Sequence, residues 1–91
     1  MTSSKSWSGV TPQVFACVKD QSAREHGTKY QPADANTGTA TTHVTAVGTI
    51  VLGFELNGNG GLTYTIRDKP TLVPESTIWS GIDSTIKGCQ K

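Results

Sequence analysis

Two cysteines, two histidines and two tryptophans are the residues of this chain with the widest chemical range, and their spacing limits each of them. Cys17, Cys89, His26 and His43 are the only soft or borderline metal ligands. They show neither CxxC nor HxxxH spacing, so no zinc site is expected. Asp34-Ala-Asn36-Thr-Gly38 imitates the opening of a calcium loop. Position 45, where a bidentate acid would close that loop, is Thr45,. Asp, Asn and Gly are also what an ordinary turn uses.

Catalytic patterns fare no better. There is no GxSxG,. A cysteine nucleophile would need a free thiol. The carboxylates Glu25, Glu55, Asp68, Glu75 and Asp83 read as strand or helix surface, with no two sharing an apolar pocket,. The run Asn57-Gly-Asn-Gly-Gly61 is glycine-rich but lies between two strand-like segments, whereas phosphate loops lead into a helix,. The chain therefore offers no catalytic residue, metal ligand set or cofactor motif.

The cysteines read instead as a disulfide. Their number is even, one lies near each end, and Cys17 bridged to Cys89 closes a loop of about 70 residues, worth about 4 kcal/mol in the chain-entropy model. Only 34% of the residues are hydrophobic, so a core this thin gains much from such a bridge,. The alternative is a pair of buried thiols in a cytoplasmic protein. A bridge implies a periplasmic or secreted protein. Met1-Thr-Ser-Ser-Lys5 lacks an apolar signal region, so the expectation is that a signal has been removed,.

The element that must organise these residues is a hairpin. Val44, Ala46, Gly48, Ile50, Leu52, Phe54 and Leu56 alternate with polar positions, and Leu62, Tyr64 and Ile66 resume the alternation,. Asn57 to Gly61 tolerates positive φ and holds the reversal. A two-residue turn at Asn57-Gly58 would put the apolar faces out of phase. A five-residue loop opposes Leu56 to Leu62, Phe54 to Tyr64 and Leu52 to Ile66, keeping every large apolar side chain on one face. The spacing predicts strands over 42–56 and 62–68, and a short edge strand over 28–33 limited by Pro32. Residues 34–41 read as a polar loop.

Two helices flank the strands. Thr11 is a candidate N-cap with Pro12 at the first helical position; Val14, Phe15 and Val18 share a face, and Gly27 is a stop signal,. A strand over 10–18 is the competing reading. Pro74 opens a second helix in which Ile78, Ile82, Ile86 and Cys89 share a face, with Gly88 as its end,. The expected fold is α+β: helix, three-stranded antiparallel meander, helix, as a two-layer sandwich with both helices on one sheet face. Residues 1–9 read as a flexible tail and 10–91 as one domain. Trp7-Ser-Gly-Val10 echoes Trp79-Ser-Gly-Ile82; the match is short and is read as coincidence.

Charge is balanced at +1 with no block of one sign, which argues against nucleic acid,. The longest apolar run is too short to span a bilayer. The favoured functional reading is a disulfide-closed exported module that binds a protein or glycan without catalysis. The candidate residues are Trp7, Lys29, Tyr30, Asp34, His43 and Trp79. Lys29, Tyr30, Asp34 and His43 fall within 28–43, where an extended partner could add to a sheet edge, while an exposed Trp7 or Trp79 with the Thr-rich face could bind sugar rings or a partner protein. The alternatives are a small hydrolase or enzyme inhibitor with its site in loops 34–41 and 57–61, and a structural subunit. The expected state is a monomer or a weak homodimer through an edge strand.

Overall fold

The computed structural model describes residues 3–32, 35–44 and 46–90. The chain is α+β, with five antiparallel strands and two helices. In order these are β1 (Ser3–Trp7), α1 (Pro12–His26), β2 (Lys29–Gln31), β3 (Thr37–Val44), β4 (Gly48–Leu56), β5 (Leu62–Asp68) and α2 (Glu75–Cys89). The sheet order is β1-β5-β4-β3-β2. The three-stranded meander is thus corrected to five strands, in three places.

The expected tail supplies β1, which pairs with β5 from Ser3 opposite Ile66 to Trp7 opposite Leu62. The expected polar loop 34–41 is largely β3. The expected long strand 42–56 is divided by a turn at Ala46 and Val47, where Val47 N–H donates to the Val44 carbonyl at 3.0 Å. Ala46 takes φ 65°, a region that alanine seldom enters,.

The β4–β5 hairpin follows the expected register: Leu56 opposes Leu62, Phe54 opposes Tyr64 and Leu52 opposes Ile66. A bulge between Val51 and Leu52 shifts the pairing beyond that point,. The five-residue loop is closed by Asn57, whose Oδ1 accepts from Asn59 N–H and Gly61 N–H, both at 2.9 Å.

Helix α1 begins and ends as its sequence signals require. Thr11 Oγ1 accepts from Val14 N–H at 3.1 Å, Pro12 opens the first turn, and Gly27 leaves it at φ 67°,. Helix α2 starts after Pro74 and runs through Gly88 to Cys89, one residue beyond the expected stop.

One core joins both helices to one sheet face. Phe15 and Val18 from α1 and Ile78 and Ile86 from α2 are buried with Leu52, Phe54, Leu56, Leu62, Tyr64 and Ile66. Cys17 and Cys89 are bonded, tying the helices together. The opposite face is rich in Ser and Thr. Across β1 and β5, Ser4 hydroxyl bonds Thr65 hydroxyl at 2.9 Å and Ser6 bonds Thr63 at 2.8 Å. Among the described residues no helix is long and apolar enough to cross a membrane.

Candidate functional site: a cleft between the helices and the sheet

A cleft of about 300 Å³ opens between α1, α2 and the inner sheet face. Its origin lies in residue size. On α2 the residues that face it are Thr77, Ile78, Gly81, Ile82 and Thr85, a stripe at helical spacing with glycine at its centre,. A Cβ built at Gly81 meets nothing within 4 Å. Across the gap, β3 presents Ala40 and Thr42, and α1 presents Val18, Ser22 and His26 at intervals of four. The small residues Gly81, Ala40 and Ser22 border it. Ile50, Leu52 and Val73 complete an apolar lining.

Two sets of hydroxyls are set into that lining. Tyr30 and Tyr64 hydroxyls lie 2.7 Å apart. Thr28 and Thr42 hydroxyls lie 2.6 Å apart. Tyr64 is 1% exposed. Among the described residues no Lys, Arg, Asp or Glu lines the cleft, and the exposed His26 is the ionisable group that lines it besides the tyrosines.

Burial raises the Tyr30 pKa against the weaker opposing effect of its hydroxyl partners. Burial, together with the neighbouring Tyr30, pushes Tyr64 higher still. The phenolate is disfavoured in the folded chain, so these groups contribute stability below the free tyrosine pKa of about 10, and it is lost as pH rises above that value. These are the chain's two tyrosines. Ultraviolet titration of the native protein should show neither ionised near pH ~10, while the urea-unfolded chain shows about half of both. A native curve matching the unfolded one would mean that the pair is open to water.

The structure places the sequence candidates in three groups. Tyr30 lines the cleft. Trp7 and Trp79 are half-buried and meet each other at 6.1 Å between ring centroids. Trp7 also packs edge-on against Tyr64 at 6.0 Å and donates its indole N–H to Asp83 Oδ1 at 3.1 Å. The Asp83 carboxylate is held below its ordinary range by Lys87 and then by that indole. The echo around the two tryptophans is not structural, since Trp7 ends a strand and Trp79 lies within a helix. Lys29 and His43 are exposed on β2 and β3, and His43 Nδ1 lies 2.9 Å from Thr49 Oγ1. Asp34 lies outside the described residues.

The candidates are therefore not one site. Ser22, Thr28, Thr42, Tyr64 and Gly81 were missed. Tyr64 had been counted only as core, and the signal that could have found the cleft was Gly81 at the centre of an apolar helical stripe. A wider hollow of about 580 Å³ on the other side of α1 is edged by exposed Pro12, Ala16, Asp20 and Asn36. Lys19 borders it, with Nζ 4.4 Å from the Phe15 ring centroid and donating to the Ala35 carbonyl at 2.8 Å. Among the described residues no three His, Cys, Asp or Glu side chains converge as a metal site. No family model, curated protein or solved structure matches this chain.

Proposed function

We propose that the chain is a non-catalytic binding module that holds a small apolar molecule in the cleft between its helices and its sheet. The observation that carries this reading is an apolar cleft of about 300 Å³ with a few placed hydroxyls, the usual composition of a small-molecule site. The bridged cysteines suit an oxidising compartment, periplasmic or secreted. The sheet edge at residues 28–43 is the second reading for a protein or glycan partner, because β2 is an outer strand. It is the weaker one: β2 is three residues long, and short edge strands are how proteins avoid unwanted pairing.

Gly81→Leu separates the two. Gly81 lines the cleft, a Cβ there meets nothing within 4 Å, and the change removes a helix-interior glycine that costs about 0.5–1 kcal/mol. The native chain should bind the neutral dye phenylnaphthylamine saturably, one per chain, with enhanced fluorescence. The variant should be more stable by about 1 kcal/mol or more and should bind none. Undiminished dye binding by a folded Gly81→Leu would remove the cleft as the site.

A further inference from the structure

We infer that the cleft selects neutral ligands carrying a hydrogen-bond acceptor, such as an aromatic or alicyclic ketone, over hydrocarbons and carboxylates of the same size. This rests on the cleft being a ligand site.

The argument begins with protons. A hydroxyl carries one donor and two acceptor lone pairs. Tyr30 and Tyr64 form a pair of hydroxyls joined by one hydrogen bond. One bond consumes one proton, so the pair itself leaves one proton unused. The Thr28–Thr42 pair, one bond between two hydroxyls, likewise leaves one. Both sets line the cleft. A pure hydrocarbon would cover these donors without pairing them, which is costly for a buried polar group. A carbonyl oxygen accepts from them directly.

Charge decides against carboxylates. A buried anion needs a partner, and among the described residues no lysine or arginine lines the cleft. The exposed His26 lies at its outer side, away from the enclosed Tyr64. The upward shift of both tyrosines has burial as its main cause, and the same environment opposes a ligand anion beside them. Volume sets the size. At about 30 Å³ per water in the liquid, the cleft equals roughly ten waters, room for one bicyclic molecule and not for a long acyl chain.

Three probes of one shape test this by calorimetry on the intact chain: naphthalene, acetonaphthone and naphthoate. Acetonaphthone should bind about fivefold tighter than naphthalene, equivalent to about 1 kcal/mol, and naphthoate should bind more weakly than either. Changing both hydroxyl pairs, Tyr30→Phe with Tyr64→Phe and Thr28→Val with Thr42→Val, removes both partners of each bond and should abolish most of the ketone preference while retaining naphthalene binding. Equal affinity for naphthalene and acetonaphthone, tightest binding of naphthoate, or a ketone preference that survives these changes would overturn the inference and leave an apolar cleft. Failure of all three probes to bind the native chain would overturn the cleft reading along with it.

Discussion

Reducing the Cys17–Cys89 bridge should lower the stability of the domain by roughly 4 kcal/mol. The bonded residues are 72 apart in sequence. In the chain-entropy model a loop of that length restricts the unfolded chain by roughly 4 kcal/mol, within the 2–5 kcal/mol that small domains lose with a native bridge. The folded side agrees. The two cysteines join α1, near its start, to the last residue of α2. Small domains are stable by only about 5–15 kcal/mol. Denaturant unfolding of Cys17→Ser with Cys89→Ser should show the loss as a lower midpoint. A midpoint equal to that of the bridged protein would mean that the helices are held by packing alone.

Phe54→Ala should cost about 3–5 kcal/mol. Phe54 is 3% exposed and sits at the centre of an aromatic cluster, 5.5 Å from Phe15 and 5.2 Å from Tyr30 between ring centroids. Removing it leaves a void bordered by two elements that cannot close over it, because Phe15 is fixed on α1 and Tyr30 is bonded to Tyr64. Thr65→Ala, on the opposite face, loses one exposed hydroxyl bond to Ser4 and should cost less than about 1 kcal/mol. Comparable losses at Phe54 and Thr65 in urea titrations would mean that the two faces of the sheet are assigned the wrong way round.

The parts of this fold that could be read from sequence are those in which large apolar residues alternate or recur. The β4–β5 register followed from Leu52, Phe54 and Leu56 facing Ile66, Tyr64 and Leu62, with an Asn- and Gly-rich loop between. Helix α1 followed from Thr11, Pro12 and Gly27. The bridge followed from a count of two.

What stayed hidden carries small or polar residues. The inward positions of β3 include Gly38, Ala40 and Thr42, which bear no hydrophobic signal; β1 is Ser-Ser-Lys-Ser-Trp, held by pairing with β5 rather than by its own pattern. The Ala46–Val47 turn was concealed because Ala46 continues the apolar alternation of Val44 and Ile50, and Ala46 adopts a backbone angle that propensity assigns to glycine or asparagine,. The cleft was invisible for the same reason as β3. It is bounded by missing side chains, at Gly81 and Ala40, and hydrophobic periodicity registers only those that are present.

The most direct test of the central claim is a set of intermolecular nuclear Overhauser effects between acetonaphthone and the isotope-labelled chain. The ring protons should give cross-peaks to the methyl groups of Leu52, Ile78 and Ile82, and the acetyl methyl should lie close to the Tyr30 and Tyr64 rings, all of which line the cleft. Cross-peaks confined to Lys29, His43 and the outer sheet face, with none to Ile78 or Ile82, would contradict the claim and return the binding site to the edge of the sheet.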